Sequence, residues 1–241
     1  MLRFFISYPY HLVDYSDRIV TKTLSEIIVT QADILPITCI ILAGGKSSRL
    51  GREKALEKIS KRSLIEHTID CLSSISQEIL VVTSKEQVNF IATANLKAKL
   101  IVDSYPNKGA LGGIYTGLAN ADAFYCLVVG CDMPFLNEAL LHYLIGLAPA
   151  FDAVVPKING MTEPLHALYS KDCLASIKQL LCQDRLAISQ LFSLVKTRYV
   201  DKDEIIKYDP KQLSFFNINT QNDFLKAKAL MYEAHKTSSV G

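Results

Sequence analysis

A three-layer α/β/α fold, with helices on both faces of a mostly parallel, Rossmann-like sheet, is predicted by two features of this chain. From Ile37 onward, apolar runs of strand length alternate with segments whose apolar residues recur every three or four positions, the pattern of βαβ units. The chain also has 241 residues with 49% hydrophobic content, enough to bury one substantial core.

The strands are expected at Thr38 to Leu42, Glu78 to Thr83, Lys99 to Val102, Phe124 to Gly130 and Ala153 to Pro156. Helical periodicity falls between them, at Leu64 to Ser73, Lys85 to Ala94, Gly113 to Asn120 and Glu138 to Leu147. After Pro156 the alternation weakens. An extended segment, Pro164 to Tyr169, precedes helices near Lys171 to Leu181 and Ala187 to Phe192. A last strand, Lys196 to Val200, leads through Ser214 to Asn219 into a closing helix from Thr220. Residues 1–36 are Tyr-rich and mixed in charge and read as an N-terminal extension, with residues 37–241 as a single domain.

Composition narrows the function. A net charge of +2, with no stretch that gathers Lys and Arg into a stripe, favours a small anionic ligand over a nucleic acid. The six cysteines include no CxxC pair and mostly lie in apolar runs, which argues against a disulfide framework or structural zinc. No run reaches the roughly 20 apolar residues of a membrane span, and the N-terminus turns charged by Asp14 to Arg18, unlike a secretory signal. A cytoplasmic protein is expected.

In such sheets ligands bind at the carboxyl ends of the strands, so the residues that follow each strand carry the chemistry. After the first strand comes Leu42-Ala43-Gly44-Gly45-Lys46-Ser47-Ser48-Arg49-Leu50-Gly51-Arg52-Glu53-Lys54-Ala55. Its glycines allow close backbone approach to a phosphate, and Arg49 and Lys54 add two cations. The spacing is neither GxxxxGK[ST] nor GxGxxG, which excludes the P-loop and the dinucleotide fingerprint. Two further strand ends bear carboxylates: Asp103 in Val102-Asp103-Ser104-Tyr105-Pro106-Asn107-Lys108-Gly109-Ala110-Leu111-Gly112-Gly113, and Asp132 in Gly130-Cys131-Asp132-Met133-Pro134. Asp132 suits Mg²⁺, which takes one or two protein carboxylates together with substrate phosphates and water.

The first of these stretches resembles the LAGGxSxRMGxxKA signature of the molybdenum cofactor guanylyltransferases, with Leu50 in place of Met. Asp103 to Gly113 is similar to that family's Asp and Gly-Pro-Leu-x-Gly loop, with Ala110 where Pro is usual. Cys131-Asp132-Met133-Pro134 looks like its CDxP segment, and Phe216-Asn217-Ile218-Asn219-Thr220 like its NxNTPEEL segment. Glu163-Pro164-Leu165-His166-Ala167-Leu168-Tyr169 is similar to its Pro-x-x-Ala-Leu strand.

The resemblance implies the nucleotide-diphospho-sugar transferase fold and transfer of GMP from GTP onto molybdopterin, with Mg²⁺ as cofactor and pyrophosphate as leaving group. The N-terminal part of the domain would bind GTP and the C-terminal part the acceptor. The implied nucleotide site is Leu42, Ala43, Gly44, Gly45, Arg49, Lys54, Asp103, Gly109, Gly113 and Asp132, with Arg49, Lys54 and Asp132 catalytic and Asp132 on the metal. Asn217 and Asn219, facing one way by strand periodicity, would look onto the acceptor or the metal, and the implied partners extend to molybdoenzyme apoproteins or their chaperones.

Plainer readings stand beside these. Asp103 also reads as a turn carboxylate, Asn217 and Asn219 as helix-capping residues, and His166 on an apolar strand as a hydrogen-bond-satisfied core histidine. Arg185 and Lys157 are positioned for an acceptor phosphate or are solvated surface charges. Cys131 has no evident histidine to activate it. A cytidylyltransferase, another transferase of the same fold, and a non-catalytic cofactor-binding chaperone are the competing functions.

Overall fold

The structure, a computed structural model, describes residues 35–44, 54–59, 62–94 and 96–238, and a compact unit comprises residues 36–241. The reading of residues 1–36 as an extension falls almost entirely outside the described residues.

In chain order the unit runs β1 (Ile37–Leu42), a hairpin of β2 (Lys58–Ile59) and β3 (Arg62–Ser63), α1 (Leu64–Leu72), β4 (Glu78–Thr83), α2 (Val88–Ala92), β5 (Lys99–Val102), α3 (Gly109–Asn120), β6 (Tyr125–Gly130) and α4 (Glu138–Leu147). Then follow β7 (Ala153–Ile158), β8 (Met161–Thr162), β9 (His166–Ser170), α5 (Cys173–Cys182), β10 (Thr197–Asp201), α6 (Lys202–Ile205) and α7 (Gln221–Ser238). The large sheet has the order β10-β7-β9-β6-β1-β4-β5, with β8 paired to β7.

Within this sheet strand pairing is parallel except at β9 and β8. The antiparallel insertion has a local cause. Asn159 (φ 52°) and Gly160 (φ 82°) form a two-residue hairpin loop between β7 and β8. Only residues 163–165 then remain before β9, far fewer than a parallel crossover needs. The Asn-Gly pair was visible in the sequence, yet the expected strand stopped at Pro156.

Both faces of the sheet are covered, because every residue of β1 is buried. Ile40, Leu42, Leu80, Val82, Val128 and Tyr169 point to one side and meet Leu111, Ile114 and Leu118 of α3 and Ile177 and Leu180 of α5. Cys39, Ile41, Val81 and Val129 alternate to the other side and are equally buried. Burial pushes the thiols of Cys39, Cys126 and Cys173 up to about 12, so they serve as small apolar side chains.

The starts of α1 and α4 follow capping chemistry. Ser63 and Glu66 form a capping box on α1, with the Glu66 carboxylate accepting from the Ser63 amide at 2.7 Å, and Asn137 Oδ1 accepts from the Leu140 amide at 3.0 Å at the start of α4. Three expected helices differ. α3 begins at Gly109 rather than Gly113, since packing on the sheet outweighs a glycine-rich start; α2 is confined to Val88–Ala92; and residues 188–193 wind as a 3-10 helix.

Candidate functional site

Sheet order sets the location. From β1 the chain moves outward to β4 and β5, then returns across β1 to β6 on its other side. The carboxyl ends of β1 and β6 therefore form a topological switch point, where connections leave in opposite directions and a ligand crevice opens.

Pairing continues one residue past each strand there. The Ala43 amide donates to the Val82 carbonyl at 2.9 Å, and the Cys131 amide donates to the Leu42 carbonyl at 3.2 Å. With Leu42 opposite Gly130, the fold brings Leu42, Ala43 and Gly44 beside Cys131 and Asp132. Leu42 and Ala43 are buried, whereas Gly44 is exposed at the mouth. Lys54 opens a short 3-10 turn, Lys54–Leu56; Gly45 and Arg49 lie outside the described residues.

Asp132 is half-buried, and its Oδ1 folds back over Gly130: a Cβ at that glycine would stand 2.6 Å from it. Gly130 thus makes room for the carboxylate, a role signalled in the sequence by a glycine closing a buried strand two residues before an acid. The Asp132 carbonyl accepts the Ile218 amide at 3.0 Å, which draws Asn217 and Asn219 to this end of the sheet. Ile218 itself is buried with Ile59, Leu64 and Phe224. The capping role falls mainly to Thr220 and Asp223, whose Oδ2 accepts from the Thr220 amide at 2.9 Å and also from the Asn219 amide at 3.1 Å.

Asp103 stands apart from Asp132. Its strand, β5, is separated from β6 by β4 and β1, about 14 Å at the usual strand spacing. Its Oδ1 accepts from the Tyr105 amide and the Thr116 hydroxyl, both at 2.9 Å, and so ties the β5–α3 loop to α3. Gly109 is exposed with φ 63°, a left-handed conformation that favours glycine at the entry to α3. Gly113 is buried, and a Cβ there would lie 3.2 Å from Leu42 Cδ2, so its bareness serves the seating of α3 on β1.

His166 is fully buried against the Phe215 ring, at 4.7 Å between centroids, and neither ring nitrogen has a hydrogen-bond partner. Burial pushes its pKa down to about 4 despite the opposing charge of Asp209, so the neutral ring is native. The core reading holds for its burial but not for hydrogen-bond satisfaction. Lys157 lies over the Tyr199 ring at 5.6 Å, and Arg185 hydrogen-bonds Gln190 at 2.7 Å.

Among the described residues no group of three or more His, Cys, Asp or Glu side chains could hold a metal unaided. Asp132 is the strand-end carboxylate at the crevice. One hard oxygen donor of this kind fits an ion that arrives with substrate phosphates, the usual habit of Mg²⁺.

A switch point with the Leu42–Gly44 segment on one side and the Asp132 carboxylate on the other fits a nucleotide-handling α/β protein. Comparison with known proteins narrows the class: residues 39–198 match the model of the MobA-like NTP transferase domain, and the chain belongs to that family. It is 31% identical to the probable molybdenum cofactor guanylyltransferase of Pelotomaculum thermopropionicum, over 86% of this chain and 98% of that one. It is 33% identical to the molybdenum cofactor guanylyltransferase of Desulfosudis oleivorans, over 80% and 95%. Among solved structures, molybdopterin-guanine dinucleotide biosynthesis protein A from Archaeoglobus fulgidus superimposes with a TM-score of 0.72 at 26% identity, covering 81% of this chain and 99% of that one. The sheet and its flanking helices are those of the nucleotide-diphospho-sugar transferase fold, and the chain is a nucleotidyltransferase. No described helix is long and apolar enough to cross a membrane.

Proposed function

We propose that this protein transfers GMP from GTP onto molybdopterin, forming the guanine dinucleotide cofactor and releasing pyrophosphate. The observation that carries the reading is the meeting of the Leu42–Gly44 strand end and Asp132 at the switch point, in a chain whose relatives bear the guanylyltransferase name.

In this reaction an oxygen of the acceptor phosphate forms a bond to the α-phosphorus of GTP while the bond from that phosphorus to the bridging oxygen breaks. Both partners are anionic, so positioning and charge neutralisation matter more than a strong base. Backbone amides of the glycine-rich turn, with Arg49 and Lys54, take the phosphates. Asp103 and Gly109 border the nucleotide at β5 and α3, Gly113 keeps α3 close to the turn, and Asn217 and Asn219 face the acceptor. Asp132 holds Mg²⁺, which when bound supplies Lewis-acid neutralisation of phosphate charge. The work is cytoplasmic, and the product passes to molybdoenzyme apoproteins or their chaperones.

The test is a thermal-shift titration with each nucleoside triphosphate plus Mg²⁺, since a ligand that binds the native state raises its stability. Selective stabilisation by GTP, lost in Lys54→Ala and Asp132→Ala, together with GTP-dependent pyrophosphate release in the presence of molybdopterin, is the expected result. Preference for CTP overturns the guanine assignment, and absence of pyrophosphate release overturns transfer.

A further inference from the structure

Three contacts join the loop that carries Asp132 to a segment about eighty residues downstream. At the start of the loop, the Asp132 carbonyl accepts the Ile218 amide at 3.0 Å. At its middle, the Phe135 and Phe216 rings meet edge to face, 5.9 Å apart. At its end, the Asn137 amide donates to the Ser214 hydroxyl at 3.0 Å, immediately before α4. Residues 214–218 thus run along the whole loop as a strap.

The strap takes its shape from one buried carboxylate. Asp209 is 4% exposed, its Oδ2 accepts the Ser214 amide at 2.9 Å, and its Oδ1 accepts the Leu213 amide at 3.2 Å. Its carbonyl accepts the amide of Gln212, which holds a left-handed φ of 52°, at 2.9 Å. The result is a closed turn that delivers Ser214 to Asn137 and sets Phe215 on the buried His166 ring. Burying a carboxylate is costly even when it is hydrogen-bonded, and an apolar residue would fill the volume without that cost. What an apolar residue lacks is two acceptors for the adjacent amides of Leu213 and Ser214, where the strap begins.

We propose that Asp209 is a positioning residue for the metal-site loop: through the Ser214–Asn137 and Ile218–Asp132 hydrogen bonds it fixes where Asp132 presents its carboxylate. The inference rests on the reading of Asp132 as the Mg²⁺ ligand. It adds a residue outside the matched family region 39–198, and one whose effect is transmitted by the strap.

The test pairs steady-state kinetics with Mn²⁺ binding followed by electron paramagnetic resonance in the presence of GTP without acceptor. Each quantity is scored per folded molecule. Asp209→Ala is expected to weaken Mn²⁺ binding at least about fivefold and to lower kcat at least about tenfold; Asp209→Asn, which keeps one oxygen acceptor, recovers part of both. Because the route runs through Asp132, the double variant Asp132→Asn/Asp209→Ala binds Mn²⁺ no more weakly than Asp132→Asn alone. Ser214→Ala, which removes only the acceptor of the Asn137 amide, moves binding in the same direction by about twofold and serves if Asp209→Ala does not fold. A residue that merely capped the turn would lower the melting temperature and leave Mn²⁺ affinity unchanged, which overturns the inference, as do additive losses in the double variant. If Asp132→Asn itself leaves Mn²⁺ affinity unchanged, the metal reading fails and the inference fails with it. If Asp132→Asn weakens binding while Asp209→Ala does not, only the inference fails.

Discussion

The two halves of the domain build the same crevice by different means. Residues 37–132 make it from parallel strands whose ends border the switch point: Leu42 leads directly into Ala43 and Gly44, and Gly130 lies two residues before Asp132. Residues 133–219 contribute through polar contacts: the local turn of Asp209 to Ser214, and the long-range bonds of Ser214 to Asn137 and of Ile218 to Asp132. On the proposed function, the first half would supply the reacting geometry and the second would hold it in place. Substitutions should therefore separate into those that lower rate at constant stability and those that change stability first.

The sharpest separation is expected at Asp132, the product of the first half. Asp132→Ala should lose about 3 kcal/mol of transition-state stabilisation, on the order of a hundredfold in kcat/KM, while the melting temperature stays within a degree or two. Kinetics and thermal melts on the same preparation check it. A large drop in melting temperature with normal turnover would make Asp132 a structural residue and dissolve the contrast.

The second half should yield an acid-sensitive term in stability. His166 has its native pKa depressed to about 4 from an ordinary 6.5 by burial. Between those values the unfolded chain binds more protons than the native one, so stability is full above 6.5, falls as pH drops toward 4, and then levels. The span corresponds to about 3 kcal/mol. Glu66, lowered by its hydrogen bonds from Ser63, and Glu204, whose burial raises it but whose hydrogen bonds from Tyr143, Asp201 and Arg198 lower it overall, contribute stability that is lost in the same direction, whereas Glu163, raised by burial, opposes them. The comparison with His166→Leu isolates the histidine: denaturant melts from pH 7.5 to 4 should show a shallower acid limb in the variant. At pH 7.5 the variant should match or exceed the parent, because an unpartnered buried imidazole is exchanged for an apolar chain of similar size.

The same division explains what was legible in the sequence. Strands β4 and β5 and helix α4 have the boundaries that apolar runs and periodicity indicate, and β1 and β6 differ by one residue; β1, β4 and β6 are buried almost throughout, and α4 buries the single stripe Leu140, Leu141 and Leu144, so in these the pattern has no competitor. Asp132 was legible as a strand-end acid. Asp209 and Ser214 were not: Asp209-Pro210-Lys211-Gln212-Leu213-Ser214 reads as an ordinary polar turn, and nothing local reveals that its carboxylate is buried or that Ser214 meets Asn137 across 77 positions. Antiparallel β9 was legible only as an extended segment, since direction depends on the length of the connection.

Glycine substitutions test the contrast at its finest scale. Gly117 lies within α3, in the parallel half, and a Cβ there would stand 2.6 Å from Ile40 Cγ2 and 2.9 Å from Ile40 Cδ1. Gly146 lies near the end of α4, in the other half, exposed and with nothing within 4 Å of an added Cβ. Replacing glycine by alanine favours a helix by up to about 1 kcal/mol through backbone entropy, less near its end. At Gly146 that gain stands alone, and Gly146→Ala should stabilise by about 0.5 kcal/mol. At Gly117 the opposing atoms belong to a β-branched side chain, stiff at χ1 and fixed on the central strand, so the methyl has to push α3 off the sheet. Overpacking of this kind costs about 1–3 kcal/mol and outweighs the entropy gain, leaving Gly117→Ala destabilised by about 1 kcal/mol. Chemical denaturation of the two variants reads both signs directly. Stabilisation at both positions would mean that α3 can lift from β1 at little cost, so that the parallel half would no longer be the rigid partner in the crevice.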